Sequence, residues 1–199
     1  MEWVQRDTAT VHDLTRGARR ILEVASDLFY DRGIHAVGVD TIAAESGVTK
    51  RTLYNNFGSK DALVATYLDN RHQEWWRRLE ERIAAAEQPR ALAFFDVYAE
   101  DARTVTRGCA FLNAAAELPA DHPAYAIIRY HKRSIEERLG ELIAEERPSA
   151  EEARRLARHL FLLLEGAFAH QGVHGRELLL EARGIARGLL APGSADRSR

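Results

Sequence analysis

Cysteine is nearly absent: Cys109 is the only one in 199 residues, which excludes an internal disulfide and a cysteine-built metal framework. Proline is scarce too, with five residues, at Pro89, Pro119, Pro123, Pro148 and Pro192, where connections between helices would fall. No stretch approaches the roughly 20 apolar residues needed to span a bilayer. The opening Met-Glu-Trp-Val-Gln-Arg-Asp lacks the apolar run of a signal peptide. An excess of charge is also missing. The chain carries 28 Lys+Arg against 30 Asp+Glu, a formal net charge of -2 and a pI near 6.5. Basic and acidic residues are equal in number over residues 1–60. Bulk attraction to nucleic acid is thereby excluded, and any polyanion must be met by a local arrangement. The expectation is a soluble, cytoplasmic protein with no membrane partner and no cofactor.

What remains is helix-forming sequence. Ala, Leu, Glu and Arg dominate, and the period-2 alternation of strands is missing. A first helix is predicted over about 15–32, with Ile21, Leu22, Ala25, Leu28 and Phe29 forming one buried stripe. Gly33 is placed to end it in a left-handed C-cap. A short second helix is expected to start with Asp40 as N-cap and to break at Gly47. A third is expected from a Thr49 cap through Asn56, and Ser59 is placed to cap the fourth. Longer helices are predicted over 59–86, 90–106, 109–117, 122–146, 150–171 and 175–190. In the helix after Pro123, Lys132/Glu136 and Arg133/Glu137 read as a solvated charged face. Residues 1–14 and 192–199 are expected to be flexible.

The segment from Val39 to Asn56, VDTIAAESGVTKRTLYNN, fits a helix-turn-helix. Ala43 is small enough for close helix packing, and Gly47 suits a tight turn with positive φ. Val48 and Leu53 can plug the second helix into a core. That leaves Thr49, Lys50, Arg51, Thr52, Asn55 and Asn56 facing outward, with donors and acceptors suited to base edges and phosphates. Tyr54 offers a hydroxyl within reach of a phosphate and Phe57 an apolar anchor. Ser59 and Lys60 open the fourth helix, whose free N–H groups favour an anion.

The longer run from Val39 to Val64, VDTIAAESGVTKRTLYNNFGSKDALV, closely resembles the DNA-binding signature of the tetracycline-repressor (TetR) family. The likeness includes a first helix ending in Gly33, the Gly-Val turn, the Leu-Tyr-x-x-Phe run and the Ser-Lys start of the fourth helix. It covers roughly residues 15–64. The resemblance implies that Lys50, Arg51, Thr52, Asn55 and Asn56 read bases or adjacent phosphates. It also implies that Thr41, Tyr54 and Lys60 contact phosphates. Beyond residue 64 the likeness is one of architecture, although Gly108–Tyr125 resembles one branch of the family.

In that family the C-terminal domain dimerises and binds an effector. Candidate pocket residues are Trp75, Trp76, Phe94, Tyr98, Phe111, Asn113, Tyr125, Phe161, Glu165 and Phe168, which suit a largely apolar ligand. Asn113 and Glu165 stand out because each sits in an otherwise apolar run, where an unpaired polar group is costly. Segments 156–168 and 177–190 are more apolar than one buried stripe requires, and are read as a four-helix dimer interface. Leu160, Leu163, Leu164, Ala167, Leu179 and Ile185 are the contact candidates, with Gly166, Gly184 and Gly188 permitting close approach. His170 and His174 have a helical metal spacing but no cysteine nearby. Cys109, flanked by apolar residues, reads as a small core residue.

The sequence therefore predicts an all-α protein of about nine helices. A helix-turn-helix domain (15–58) precedes an effector-binding and dimerisation domain (59–191). The expected function is a ligand-responsive, DNA-binding transcriptional regulator, most simply a repressor released from a palindromic operator. The alternative is a helical ligand-binding adaptor, or an enzyme using the C-terminal cavity, with vestigial DNA binding. No nucleophile–base pair, metal cluster or glycine-rich phosphate loop supports the enzyme, so no catalytic residue is assigned.

Overall fold

The computed structural model describes residues 14–104, 106–147 and 149–191. Among them are ten α-helices and no strand. In chain order they are α1 (Arg16–Arg32), α2 (Val39–Ser46), α3 (Lys50–Phe57), α4 (Lys60–Ala85), α5 (Ala93–Asp101), α6 (Ala110–Glu117), α7 (Pro123–Ala144), α8 (Ala150–Ala169), α9 (Gln171–His174) and α10 (Glu177–Leu190). The predicted flexible segments lie outside the described residues, apart from Leu14.

The helices sort into two compact units. Unit 1 holds the described residues up to Glu74 together with Ala110–His131, and unit 2 holds Trp75–Cys109 with the described residues from Lys132 onward. Both α4 and α7 contribute one half to each. In unit 1 the stripe of α1 is buried as Ala18, Ile21, Leu22, Val24, Ala25, Leu28 and Phe29. Ile42 of α2, Leu53 of α3 and Leu63, Val64 and Leu68 of α4 are fully enclosed with it. In unit 2, Leu79 and Ile83 of α4 and Phe94 and Phe95 of α5 are buried. So are Ile135, Leu139 and Leu142 of α7, Leu160 and Leu164 of α8 and Ala186 of α10. Arg183 pairs with Asp96 (2.7 Å), fastening α10 to α5, while Arg138 grips Glu80 through two nitrogens at 2.9 Å each.

Several boundaries differ from the sequence expectation. Over 90–106 the chain makes one 3₁₀ turn (Arg90–Leu92) and then the short α5. After Asp101 the backbone tightens into i→i+3 bonds, Arg103 N–H to Glu100 O and Thr104 N–H to Asp101 O, which end the helix. At α2 the N-cap is Gly38, not Asp40. Asp40 instead lies in the first turn, where a carboxylate complements the positive helix end. Gly33 does take a positive φ of 91°, but its ψ of 152° is extended rather than left-handed helical. The helix expected to run to residue 171 stops at Ala169, with His170 as its cap. Lys132 does not join a solvated face, since its ammonium turns into unit 2.

Candidate nucleic-acid interface and interior polar cluster

The helix-turn-helix is set by three local devices. Thr49 caps α3 by accepting from the Thr52 N–H (3.2 Å). Gly47 occupies the left-handed region at φ 67°, ψ 21°, which turns α2 sharply into α3. Leu53, with no exposed surface, plugs α3 into unit 1; Val48 and Ala43 are half-buried beside it. Because 3.6 residues make a turn, anchoring Leu53 inward forces Lys50, Arg51, Tyr54 and Asn55 outward.

All four are exposed. Tyr54 is 48% exposed, which rules it out as a core aromatic, whereas Phe57 is half-buried and serves as the anchor. Arg51, Tyr54 and Asn55 have no side-chain partner among the described residues. Lys50 pairs with Asp40 at the surface, a weak contact that a phosphate can replace. Thr49, Thr52 and Asn56 are more occupied. The Thr49 and Thr52 hydroxyls are bonded to each other at 2.9 Å. Asn56 donates to Thr52 O (2.7 Å) and accepts from the Thr15 hydroxyl (3.3 Å), tying α3 to the cap of α1. Thr41 is half-buried in the first turn of α2. Sequence reasoning passed over Arg16, which is exposed, has no side-chain partner among the described residues, and lies next to Thr15.

Lys60 is turned inward. Its ammonium donates to Ile34 O at 2.6 Å. Its pKa is lowered by burial, against which Asp61 and Glu117 act. The Glu117 carboxylate also accepts from the His35 N–H (2.8 Å), and a Cβ on Gly33 would lie 2.9 Å from its other oxygen. The end of α6 thus clamps the loop leading into α2. Nothing in the local sequence signals this pairing, which spans 82 positions.

The expected effector residues separate. Phe111, Asn113 and Tyr125 belong to unit 1. Trp75, Phe94, Tyr98, Glu165 and Phe168 meet in unit 2, while Phe161 is half-buried. Tyr98 lies edge-on to Trp75 (centroids 5.6 Å apart) and to Phe168 (4.7 Å). Its hydroxyl donates to Glu165 Oε1 at 2.7 Å, and Lys132 Nζ donates to Glu165 Oε2 at 2.5 Å. Lys132 Nζ also lies 3.3 Å from Cys109 Sγ. Burial, and then the Glu165 charge, raise the Tyr98 pKa well above its usual value, so the phenol stays a donor. Burial works to lower the Lys132 pKa, but Cys109 and Glu165 outweigh it and the amine remains charged. The open grooves of unit 2 lie elsewhere. One of about 700 Å³ runs along the start of α8, and one of about 580 Å³ lies between α7 and α8; both are lined largely by charged residues.

On α8 and α10, Leu160, Leu164 and Leu179 are buried within the chain itself, as is Ala167. A different face is open. Leu162, Leu180 and Ile185 are 63%, 64% and 46% exposed. Leu163 and Leu178 are half-buried beside a shallow groove of about 330 Å³. A Cβ at Gly166, Gly184 or Gly188 would meet nothing within 4 Å. The His170 and His174 rings lie 5.7 Å apart, tilted by 58°, and among the described residues no three His, Cys, Asp or Glu side chains converge as metal ligands.

Comparison with known proteins places this arrangement. The family model "Bacterial regulatory proteins, tetR family" matches residues 21–67. The crystal structure of a TetR-family transcriptional regulator from Streptomyces coelicolor superposes with a TM-score of 0.82 at 31% identity, covering 88% of this chain and 89% of that one. A regulator of Streptomyces avermitilis, solved as a putative TetR protein, gives 0.73 at 28% identity over 88% and 97%. Among curated relatives, the transcriptional activator FasR of Mycolicibacterium smegmatis is 47% identical over 57 residues, 28% of this chain and 26% of its own length. A transcriptional repressor of Mycobacterium tuberculosis is 39% identical over 75 residues, 38% of this chain and 40% of its length. The chain thus matches well under half the length of these curated relatives. A full-length likeness above 30% identity, with the helix-turn-helix model matched over α1–α4, shows that the chain belongs to the TetR family of bacterial transcriptional regulators.

Proposed function

We propose that the chain is a cytoplasmic, homodimeric regulator that binds palindromic operator DNA through α2 and α3 and releases it when a small effector enters unit 2. The carrying observation is the outer face of α3, where Arg51, Tyr54 and Asn55 stand exposed and free on a helix locked by Leu53. Such groups exchange water for base edges and phosphates without breaking any contact in the protein. Tyr54 and Lys50 are assigned to phosphates or base edges, and Thr41 to a phosphate at the start of α2. Dimerisation is assigned to the open α8–α10 face, with Leu162, Leu163, Leu180 and Ile185 in place of the buried Leu160, Leu164 and Leu179. A twofold dimer would match two half-sites about one helical turn apart, or a multiple of it.

For ligand control, α4 supplies the physical link, since one helix carries both Lys60 in unit 1 and Trp75 in unit 2. An effector that prefers the conformation poor in DNA binding shifts the population toward it; one without that preference shifts nothing. Repression is the proposed sign, and of the two curated relatives above one is named a repressor and the other an activator. The test is selection of random duplex DNA on the purified protein, followed by a salt titration of the enriched site. A palindrome bound with a steep salt slope supports the reading. No enrichment, with or without candidate effectors, would sink it.

A further inference from the structure

We infer that Asp40 of α2 shares in setting DNA specificity. Its ion pair with Lys50 of α3 reads one G·C base pair in each half-site as a unit, Lys50 donating to the guanine and Asp40 accepting from the cytosine. This rests on the operator-binding reading above and specifies how part of the α3 face discriminates.

The pair is set apart from its neighbours. Arg51, Tyr54 and Asn55 have no side-chain partner among the described residues, whereas the Lys50 ammonium is in direct contact with the Asp40 carboxylate. The Lys50 and Asp40 side chains are 54% and 77% exposed, so the contact is held at the surface. Its position is nonetheless fixed from within. Ile42, two residues after Asp40, and Leu53, three after Lys50, are both fully enclosed, and Gly47 sets the turn between the two helices. Lys50 is the first residue of α3, and the leading residues of a recognition helix are those that reach base edges. A carboxylate touching Lys50 would therefore enter the groove with it.

A carboxylate there opposes phosphates and suits one kind of base edge. A phosphate that displaces Asp40 from Lys50 has to sit beside the charge it has displaced, and like charges brought together on docking are costly. The pair carries no net charge, so it releases few counterions on random duplex. In the major groove the match is specific. Guanine presents N7 and O6 as neighbouring acceptors for a lysine, and its paired cytosine presents the N4 amine to an aspartate. In an A·T pair the adenine amine stands between the two acceptors, so the ammonium meets only one of them. Asp40 thus weakens binding to every sequence that leaves its carboxylate without a donor, and a penalty on wrong partners is a source of specificity.

Selection of random duplex DNA on the full chain, on Asp40→Asn and on Lys50→Met tests this, followed by fluorescence anisotropy on the enriched site and on a scrambled duplex. The natural chain should prefer G·C by at least about tenfold at one position of each half-site. Both variants should relax that same position to within about threefold. Asp40→Asn should also tighten the scrambled duplex by about fivefold and steepen its salt slope by about 0.9, because Lys50 is then free for a phosphate. Asp40→Glu, which keeps the charge, should retain the shallow slope. A G·C preference that survives Asp40→Asn, or an unchanged slope on the scrambled duplex, would overturn the proposal. So would relaxation at different positions in Asp40→Asn and Lys50→Met. A natural chain that enriches no palindrome would sink the operator reading and this proposal together, whereas an enriched palindrome unmoved by Asp40→Asn would sink the pair alone.

Discussion

On the outer face of α3, Arg51, Tyr54 and Asn55 stand in water with no side-chain partner among the described residues, whereas in unit 2 the side chains of Glu165, Tyr98, Lys132 and Cys109 are shut among aromatic rings and satisfy one another. The two arrangements solve different problems. Groups in water carry no desolvation cost in the free protein, and each can contribute to DNA affinity on its own, Arg51 by counterion release where it meets a phosphate and Tyr54 and Asn55 by hydrogen bonds. Groups taken out of water must all be paired, so removing one exposes the rest to the full penalty. Unit 1 is thereby suited to many small additive contacts with a polyanion. Unit 2 is suited to a change between two discrete states.

The largest break in this contrast is expected from the residue that makes α3 face outward. Leu53→Ala removes a fully enclosed side chain and should cost about 2–5 kcal/mol. Denaturant unfolding measures this, and DNA binding should fail with it because α3 loses its orientation. A loss of under about 0.5 kcal/mol would mean that the anchor lies elsewhere.

Unit 1 has a buried polar pair of its own, which sharpens the comparison. His72 Nδ1 lies 3.0 Å from His131 Nδ1, and His131 stacks on Phe111 with centroids 3.7 Å apart. Burial lowers the His72 pKa from 6.5 to about 4. The unfolded chain therefore takes up this proton first as pH falls. The stability held by neutral His72 is complete above about pH 6.5 and is lost progressively as pH falls toward 4, by about 3 kcal/mol at most. Urea midpoints taken from pH 7.5 down to 4.5 should decline along this window. His72→Asn, which keeps a polar atom near the Nδ1 position, should flatten the decline. Parallel curves for the two proteins would remove His72 as the cause.

Much of unit 1 was legible because its signals are local. A cap, a glycine turn and a buried leucine within ten residues identify α2 and α3, and the orientation of Arg51 and Asn55 follows from helical period alone. The interior of unit 2 was only half legible. Glu165 announced itself as a charge in an apolar run, but its partner did not. Lys132 read as solvated because Glu136 stands four residues on, and only tertiary packing decides between that partner and a carboxylate 33 positions away. The same limit hid the His72–His131 pair and the Glu117 clamp. The dimer candidates divide for a related reason: Leu160, Leu164, Ala167 and Leu179 are buried within the chain itself, while Leu163 is half-buried and Ile185 exposed. An all-round apolar helix shows that two faces are covered, but not which of Leu160 or Leu162 serves which.

A paired experiment separates the two regions directly. Tyr98→Phe leaves Glu165 with one donor fewer and should destabilise the chain by about 1–3 kcal/mol, with the salt slope of DNA binding unchanged. Arg51→Ala should leave stability within about 0.5 kcal/mol and lower that slope by about 1 if it meets a phosphate; if it reads a base, site preference changes instead. Should each variant alter both quantities, the division of labour between the units would be wrong.

Lys60 gives a small but discriminating effect, because its side chain stands between the two kinds of site. Read from the family signature it is a phosphate contact, yet its ammonium donates to Ile34 O at 2.6 Å, beside the loop that Glu117 clamps. A tether and a phosphate contact leave different traces. As a tether, Lys60→Met should cost about 1 kcal/mol of stability and leave the salt slope unaltered, since no counterion-releasing charge leaves the interface. As a phosphate contact, it should leave stability intact and reduce the slope by about 0.9. The geometry favours the tether, with the free N–H groups at the start of α4 left to meet the phosphate. A reduced slope at unchanged stability would return Lys60 to the DNA face and show that the Ile34 bond opens when DNA arrives.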